Sequence, residues 1–250
     1  MKKILLNGCF GRMGKVITEI VANSDACEIC AGVDSFGKGT ANFPVYKNIN
    51  EVKESADVII DFSHPSALSD LLSFAKAKNL PLVLATTGFS KSQIEEINKA
   101  SSVIPVFFTF NMSLGINVLT ALSKRAAQIL GSDFDIEIIE KHHNQKLDAP
   151  SGTALMLANA INEVNGDKMQ YEFDRHSRRM TRPTNEIGIH SVRGGTIVGE
   201  HEVIFAGKDE TITLTHSAAS RDIFAVGAVK AAMFICGKNA GLYDMNMMIG

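Results

Sequence analysis

The sequence predicts an α/β protein in which a doubly wound parallel sheet is joined to a smaller α+β domain with a mixed sheet. In the first part of the chain, short apolar runs alternate with amphipathic helical patterns, which is typical of a parallel sheet covered by helices on both faces. In the second part, three strand-like runs follow one another with glycine-containing turns between them. We expect a first domain over residues 1–112 with 222–250, and a second domain over 113–221.

The first half of the chain carries short apolar runs that predict strands. They cover residues 4–6, 29–33, 58–62, 82–85 and 103–108, and helical patterns follow Gly14 and cover 66–78 and 90–100. Thr86, Thr87 and Asn111 come directly after strands, where the ends of parallel strands form a ligand crevice. We expect them at that edge of the sheet, although such residues also form turns.

A glycine-rich segment links the first strand to the first helix. It has the spacing Gly-x-x-Gly-x-x-Gly, from Gly8 through Gly11 to Gly14, rather than the commoner Gly-x-Gly-x-x-Gly. Such a turn before a helix binds phosphate because glycines let the backbone amides come close to the anion. Asp34 ends the next predicted strand, where a carboxylate holds ribose hydroxyls. The two features predict a Rossmann-type dinucleotide site; the alternatives are a tight turn and a capping or loop aspartate.

The charges beside Asp34 bear on the choice of cofactor. A carboxylate repels the 2′-phosphate of NADPH, and the neighbouring Ser35 has no positive charge. We therefore predict that NADH is used at least as well as NADPH.

The second half of the chain combines helical patterns, strand patterns and one charged stretch. Helices are predicted at 113–130, 151–160 and 223–238, and strands at 134–140, 187–192, 200–206 and 211–216. The stretch at 171–185 is rich in arginine and is interpreted as an exposed, flexible loop with a solvated charge run. The last helix is long and very apolar, so we expect it to pack back on the first domain.

The segment Glu140–Thr153 concentrates proton-transfer and anion-binding side chains. Histidine exchanges a proton near neutral pH, which suits His142 or His143 to acid–base chemistry, and Lys146 adds a cation. Backbone amides and hydroxyls at a helix start, here Gly152 and Thr153, suit a carboxylate. Together these residues fit a small dianion that receives a hydride and then a proton.

Metal binding and redox chemistry are the alternatives for two features of the sequence. His142 and His143 are adjacent, and adjacent side chains on an extended backbone diverge, which disfavours a shared metal. Cys27 and Cys30 have CxxC spacing, but they lie in a predicted strand without a second ligand pair. We therefore expect no metal and no redox chemistry at these positions.

The composition argues against several kinds of partner. Lys and Arg total 25 against 27 Asp and Glu, a formal net charge of -2, so no global charge attracts nucleic acid or an anionic membrane. The longest apolar runs are far shorter than the ~18 residues needed to span a membrane. The apolar stretch near the N-terminus is too short for a secretory signal. We expect a cytoplasmic protein with no membrane or nucleic-acid partner.

The string EKHHNQKLDAPSGTA at 140–154 closely resembles the signature of the 4-hydroxy-tetrahydrodipicolinate reductase family of bacterial lysine and diaminopimelate biosynthesis, also called the dihydrodipicolinate reductase family. The resemblance extends along nearly the whole chain, in the same order. It includes the segments at 8–14, 85–89, 111–115, 191–195, 198–201, 214–216, 220–222 and 241–245.

The resemblance implies hydride transfer from NADH or NADPH to C4 of a small cyclic dicarboxylate, after or along with loss of water. It implies that His142 is a proton donor or acceptor and that Lys146 is a proton donor. The substrate carboxylates would be held by His143, Gly152 and Thr153. The implied cofactor-binding residues are Gly8, Cys9, Phe10, Gly11, Arg12, Met13, Asp34, Ala85, Thr86, Thr87, Thr109, Phe110, Asn111 and Met112.

The resemblance also implies a homotetramer assembled through the sheets of the second domain. One departure from the family pattern lies at Ser35, where many members carry arginine, and this agrees with the prediction on NADH. Two alternatives stay open: another nicotinamide-dependent reductase of a small anion, and a dinucleotide sensor without turnover.

Overall fold

Two sheets and seven α-helices make up the fold in the computed structural model, which describes all residues, Met1–Gly250. The elements are β1 (Lys2–Asn7), α1 (Arg12–Ala22), β2 (Cys27–Val33), β3 (Val45–Tyr46), β4 (Val58–Asp61), α2 (Leu68–Lys78), β5 (Leu82–Leu84), α3 (Lys91–Ser101), β6 (Pro105–Phe108), α4 (Leu114–Leu130), β7 (Asp135–His142), α5 (Gly152–Val164), β8 (Gln170–Glu172), β9 (Glu186–Arg193), β10 (Gly199–Ala206), β11 (Thr211–Ala218), α6 (Asp222–Ile235), β12 (Gly241–Tyr243) and α7 (Met245–Ile249). None of the helices is both long enough and apolar enough to cross a membrane.

The first unit consists of Met1–Leu114 and Asp222–Gly250 and contains a seven-stranded sheet. Its strand order is β12-β6-β5-β4-β1-β2-β3, and neighbouring strands run parallel. Side chains alternate along β1, so Ile4 and Leu6 pack in one core with α1 and α6, while Leu5 packs in another with α2 and α3. Helices therefore cover both faces, which confirms the predicted doubly wound sheet.

The helix α6 lies in the core of this first unit. Its alanines at 225, 228, 231 and 232 have no exposed surface, and they pack with Ile17 and Val21 of α1. Small side chains at these positions let the helix approach the sheet closely. The short edge strands β3 and β12 are absent from the sequence prediction, because neither contains a run of three apolar residues such as the one that marks the equally short β5.

The second unit, Gly115–Arg221, contains a mixed sheet in the order β11-β10-β7-β9-β8. Strands β7, β8 and β9 pair in parallel, whereas β10 pairs antiparallel with β7 and with β11. Ile136 and Ile138 of β7 are buried in a core with residues of α4 and α5. The same row of alternating positions continues to Glu140 and His142, so the fold buries these two polar side chains on the helix-covered side of the sheet.

Most residues at 171–185 are exposed, as predicted, but the predicted solvated charge run is wrong for three of its arginines. Strand β8 occupies the start of this segment, and Arg175, Arg178 and Arg182 pair with acidic side chains of the sheet. Arg182 donates to Glu137 at 2.9 Å and to Asp135 at 2.7 Å, and Arg178 donates to the buried Glu186 at 2.6 Å. The prediction was wrong because these carboxylates lie in β7 and β9, and a run of charges does not reveal partners brought to it by the sheet.

Candidate cofactor site and catalytic cluster

Two glycines shape the turn between β1 and α1. Gly8 has a φ of +83°, in the left-handed region that favours glycine, and a Cβ there would overlap the carbonyl oxygen of Phe62. A Cβ on Gly14 would overlap the carbonyl oxygen of Gly8, so α1 packs directly against the turn. Both positions therefore require glycine. Gly8 allows the tight turn and Gly14 allows close packing of the helix, which are two roles of glycine in dinucleotide-binding turns.

The N-terminus of α1 is not capped by a side chain. Its N-cap residue is Gly11, and the first turn contains no acidic residue. Arg12 is exposed and Met13 is half-buried beside it. A helix N-terminus with this composition favours an anion, because its amide groups carry partial positive charge and no carboxylate competes for them.

Asp34 lies just beyond the end of β2 and accepts hydrogen bonds from the backbone on both sides of the crevice. Its Oδ2 accepts from the amide of Phe10 at 2.9 Å, and its Oδ1 accepts from the amides of Phe36 at 3.2 Å and Gly37 at 2.5 Å. The carboxylate therefore ties the glycine-rich turn to the segment after β2. Oδ2, with a single protein donor, has a further lone pair for a ligand hydroxyl.

A cavity of about 500 Å³ opens beside Gly37, whose amide donates to this carboxylate, and it is lined by Phe10, residues 37–41, Phe43 and residues 45–47. Lys38 and Lys47 both contribute to its lining, and Lys47 Nζ donates to the carbonyl of Gly37 at 3.2 Å. Sequence reasoning missed these two cations because it considered only Ser35, the immediate neighbour of Asp34. The strand β3 brings Lys47 to the cavity through its pairing with β2.

Seven other predicted cofactor residues follow β5 and β6, whose ends lie at the same edge of the parallel sheet as Gly8. They are Ala85, Thr86, Thr87, Thr109, Phe110, Asn111 and Met112. Phe110 is 77% exposed, with its ring 5.5 Å from that of Phe108. The side-chain oxygen of Asn111 accepts from the amide of Ser113 at 2.8 Å, which fixes the start of α4.

A buried carboxylate that sequence reasoning did not single out lies at the end of β4. Asp61 is 1% exposed and accepts from Asn7 Nδ2 at 2.8 Å and from Ser63 Oγ at 2.6 Å. Burial raises its pKa above the ordinary value. Asn7 and Asp61 face each other across β1 and β4, at the position where the order of the strands reverses.

These features fit a nicotinamide dinucleotide. The turn at Gly8–Gly14 and the uncapped helix start suit the pyrophosphate, and Asp34 with its cavity suits the ribose and base. Cys9, within the turn, is 2% exposed. Burial and the charge of Asp34 raise its pKa to about 11, so the thiol stays protonated and contributes packing rather than reactivity.

In the second unit, Glu140 and His142 form a buried pair on β7. His142 Nδ1 lies 2.6 Å from Glu140 Oε2, and Glu140 has no exposed side-chain surface. Arg193, which ends β9, donates to both oxygens of Glu140 at 2.7 and 2.8 Å. Burial raises the pKa of Glu140, but the bonds from Arg193 and His142 outweigh it and bring the pKa to about 2. Glu140 is therefore an ionised carboxylate at neutral pH.

A second histidine lies against His142. His201 of β10 is 4% exposed, its ring centroid is 5.2 Å from that of His142, and its Nε2 lies 3.1 Å from Ser151 Oγ. Burial, followed by the effect of His142, lowers the pKa of His201 to about 4. Burial also lowers the pKa of His142. Both rings are therefore neutral at neutral pH.

No role was predicted from the sequence for Glu140, Arg193 and His201, although each lies in a segment that was singled out there. The spacing of Glu140 and His142, two residues apart on one strand, is the signal that places them on one face. The pairing of β7 with β9 and β10 supplies the other two, because His142 lies opposite Arg193 and Glu140 opposite His201.

His143 points to a different partner from His142. Its Nε2 lies 3.3 Å from a guanidinium nitrogen of Arg221, which can only donate, so the histidine nitrogen is the acceptor. No group of three or more His, Cys, Asp or Glu side chains in the chain is arranged to hold a metal. The four cysteines are free thiols, and Cys27 and Cys30 lie in β2.

The loop after His142 is tied at several points. Lys146 Nζ pairs with Asp148 Oδ1 at 2.7 Å, and Arg193 donates to the carbonyl of Asp148 at 2.6 Å. Ser151 caps α5, accepting from the amide of Ala154 at 3.2 Å, and its own amide donates to Glu140 at 3.1 Å. One arginine–glutamate pair thus holds the strand end, the loop and the helix start together.

Gly152 and Thr153 form the first turn of α5. Gly152 is exposed, and a Cβ there would meet nothing within 4 Å, so the space beside the helix start is open. This first turn contains no acidic residue. The arrangement suits a carboxylate ligand, since amide groups and the helix dipole favour an anion.

Comparison with protein families matches both parts of the chain. Residues 2–112 match the family model described as dihydrodipicolinate reductase, N-terminus, and residues 115–249 match dihydrodipicolinate reductase, C-terminus. A 4-hydroxy-tetrahydrodipicolinate reductase from Caldanaerobacter subterraneus subsp. tengcongensis is 51% identical, with 100% of this chain and 98% of that protein covered. The protein of the same name from Clostridium novyi is 50% identical, with 100% and 98% covered.

Solved structures agree. A dipicolinate-bound dihydrodipicolinate reductase from Paenisporosarcina sp. TG-14 has a TM-score of 0.83 and 26% identity, with 99% of each chain covered. A probable dehydrogenase from Thermotoga maritima, at 12% identity and a TM-score of 0.60, with 98% of this chain and 92% of that chain covered, shares the fold. With both of its parts matched by the family models and full-length relatives at half identity, the chain belongs to the dihydrodipicolinate reductase family and is an NAD(P)H-dependent oxidoreductase.

Proposed function

We propose that the protein reduces 4-hydroxy-tetrahydrodipicolinate to tetrahydrodipicolinate with NADH or NADPH in lysine and diaminopimelate biosynthesis. The observation that carries this proposal is the cluster at the end of β7, where a buried neutral histidine, a lysine and an open helix start lie within one short segment. The relative from Paenisporosarcina is described as dipicolinate-bound, and dipicolinate is a small planar dicarboxylate.

The substrate would bind through its carboxylates at the start of α5. The amides of Gly152 and Thr153 and the side chain of His143 are the groups we assign to it. The open space beside Gly152 supports this assignment, and so does the first turn of α5, which has no acidic residue. Arg221, 3.3 Å from His143, adds positive charge near the same ligand.

When bound, the nicotinamide cofactor would supply the hydride that is transferred to C4, after or along with loss of the 4-hydroxyl group as water, and uptake of a proton then completes the reduction. We assign cofactor binding to the turn at Gly8–Met13, to Asp34, and to the residues that follow β5 and β6, namely Ala85, Thr86, Thr87, Thr109, Phe110, Asn111 and Met112. We further propose that NADH is used at least as well as NADPH, because Asp34 would oppose a 2′-phosphate. Lys38 and Lys47 supply the charge that would still allow NADPH to bind.

Proton transfer falls to His142 and Lys146. A lysine ammonium is a donor only, so we assign to Lys146 the delivery of a proton to the substrate. Its pairing with Asp148 at 2.7 Å restricts where the ammonium lies. A positioned proton-transfer group contributes ~10²–10⁴-fold to the rate, and this is the loss expected when it is removed.

A homotetramer assembled through the sheets of the second unit is also proposed. The side of β7 opposite the helices carries Glu137, Ile139 and Lys141, which are half-exposed and mix apolar and charged groups. Light scattering on the purified protein tests this proposal. A mass near that of one chain, 27.0 kDa, would refute it.

A coupled assay tests the reaction. The upstream synthase, given pyruvate and aspartate semialdehyde, generates the substrate, and oxidation of NADH is followed by its absorbance. We expect turnover for the wild type and a kcat lower by ~10²–10⁴-fold for Lys146→Ala, with unchanged affinity for NADH. Lys208→Ala, in the exposed turn after β10, is the matched control and should behave as wild type.

Two results would contradict the proposal. Binding of NADH without turnover by the wild type would favour a dinucleotide sensor. An unchanged kcat in Lys146→Ala would remove the assigned role of that lysine.

A further inference from the structure

We propose that Glu140, paired with Arg193, is a positioning residue that places the proton of the neutral His142 ring on Nδ1 and leaves Nε2 as a proton acceptor toward the substrate. The inference rests on the proposed role of His142 and goes further, since it states which ring nitrogen works and in which direction. In the resting enzyme His142 would accept a proton, whereas Lys146 would donate one.

The hydrogen bonds of Glu140 determine the tautomer. Its two oxygens accept from Arg193 at 2.7 and 2.8 Å and from the amide of Ser151 at 3.1 Å. A carboxylate with these donors is ionised and can only accept, so the nitrogen of His142 that lies 2.6 Å away must donate. The pKa of Glu140, about 2, supports the same protonation state. In a neutral ring the other nitrogen, Nε2, then carries a lone pair.

The packing around the ring keeps it in one orientation. Glu140 has no exposed side-chain surface and lies two residues before His142 on the same face of β7. His201 packs edge-on against the ring, with centroids 5.2 Å apart. A Cβ on Gly199 would lie 3.1 Å from Nε2 of His142, so glycine at this position leaves space beside that nitrogen.

The charges that face His142 favour a neutral ring. Lys146 and Arg193 both disfavour its protonated form, Glu140 favours that form, and burial opposes it most strongly. The second histidine, His201, is neutral as well. An imidazole that is neutral at physiological pH and has its lone pair on Nε2 accepts a proton from a substrate group and can return the same proton later in the cycle.

A purely structural role is the competing explanation, because Arg193 also holds the loop through the carbonyl of Asp148. The two explanations differ in what they predict for Glu140→Gln. In the structural case the variant loses stability or substrate affinity. In the positioning case the side-chain NH₂ that the substitution introduces can donate to Nδ1 of His142, which would move the ring proton to Nε2.

The first test measures the tautomer directly. Protein labelled with ¹⁵N and ¹³C in histidine is studied by NMR near neutral pH, and the signal of His142 is assigned by its loss in His142→Asn. We expect a proton on Nδ1 in the wild type and a shift toward Nε2 in Glu140→Gln. A wild-type ring protonated on Nε2 would overturn the inference, whatever the activity of the enzyme.

The second test is kinetic. We expect Glu140→Gln to lower kcat by ~10²–10⁴-fold with little change in KM, and to move the acid limb of the kcat profile to lower pH, because loss of the anion makes His142 harder to protonate. Glu140→Asp keeps the charge and should recover part of kcat. An unchanged kcat and pH profile in folded Glu140→Gln would overturn the inference.

Glu137→Gln is the matched control. Glu137 lies on the same strand but on the opposite face, and it is also bonded to an arginine, Arg182 at 2.9 Å, and to a histidine, His190 at 2.7 Å. This variant should lose stability and keep kcat, and light scattering checks that its mass equals that of the wild type. If Glu140→Gln does not fold, Glu140→Gln with Arg193→Met removes both charges, and the same tautomer and kcat readouts apply.

The outcomes separate this inference from the proposed function. An unchanged kcat in His142→Asn would contradict the role of His142 in the reaction, whereas the position of its proton is read from the NMR spectrum alone.

Discussion

Asp34 accepts a hydrogen bond of 2.9 Å from the backbone amide of Phe10, across the gap between the end of β2 and the glycine-rich turn. The sequence predicts Asp34 as a partner of the ribose hydroxyls, and the structure adds a contact within the protein. The same carboxylate accepts from the amide of Gly37 at 2.5 Å. Asp34 therefore helps to shape the glycine-rich turn through hydrogen bonds within the protein.

The first prediction concerns Asp34→Asn. The amide NH₂ of asparagine cannot accept a hydrogen bond, so the variant loses the hydrogen bond from the amide of Phe10 or those from Phe36 and Gly37. A ribose hydroxyl would also lose a charged partner. A hydrogen bond to a charged group contributes roughly 1.5–3 kcal/mol, so we expect the Kd for NADH to rise at least tenfold. Titration of NADH fluorescence measures this.

Asp57→Asn is the control for this prediction. Asp57 also accepts from a backbone amide, that of Lys3 at 2.7 Å, but at the opposite end of the strands. The Kd of the Asp57→Asn variant for NADH should stay at the wild-type value. Equal affinities in all three proteins would show that Asp34 does not take part in cofactor binding.

The second prediction concerns Lys47 and the choice between NADH and NADPH. Lys47 lines the cavity beside Asp34, where a 2′-phosphate would lie if the adenosine ribose binds to Asp34. Lys47→Ala should weaken NADPH binding by about tenfold, the effect of losing one charge-assisted contact, and leave NADH binding unchanged. Kd values for both cofactors, measured at one fixed salt concentration, provide the comparison.

The exposed Lys53→Ala, in the same unit, serves as the control. If Lys47→Ala lost affinity for NADH and NADPH to the same extent, Lys47 would support the shape of the cavity and would not contact the 2′-phosphate.

Sequence reasoning predicted the sheet of the first unit well, because buried parallel strands such as Val58–Asp61 are continuous apolar runs that alternate with helices. It could not predict the ion pairs of Arg178 and Arg182, since their partners on β7 and β9 come close only when the second sheet forms. The site shows the same division. His142 and Lys146 stand out in one short segment, whereas Arg193 and His201 reach it from other strands and give no local signal.

The third prediction concerns Gly14→Ala. In a helix the change from glycine to alanine is favourable by about 1 kcal/mol through helix propensity alone. Here the added Cβ would overlap the backbone carbonyl of Gly8, and backbone cannot move aside as a flexible side chain can. Overpacking of this kind costs ~1–3 kcal/mol, so we expect a net loss in the free energy of unfolding together with weaker NADH binding.

Urea unfolding and NADH titration measure the two effects of Gly14→Ala. Gly194→Ala is the comparison, because a Cβ there would meet nothing within 4 Å. A Gly14→Ala variant as stable as wild type would mean that the turn can shift away from α1.

The fourth prediction concerns the pH dependence of stability and His201. Its pKa in the folded protein is about 4, below the ordinary value of 6.5, mainly because burial disfavours the charged ring. Below pH 6.5 the His201 side chain is protonated in the unfolded chain, whereas in the folded protein it is protonated only at about pH 4 and below. The stabilisation is therefore complete above pH 6.5, declines as the pH falls from 6.5 to 4, and amounts to roughly 3 kcal/mol at most. His142 and His216, whose pKa values burial also lowers, add a slope of the same sign.

Denaturant unfolding at several pH values measures this effect. The free energy of unfolding should change less steeply with pH between 6.5 and 4 for His201→Gln than for wild type. The exposed His176→Gln is the control and should keep the wild-type slope. Identical slopes for wild type and His201→Gln would show that His201 titrates alike in the folded and unfolded chains.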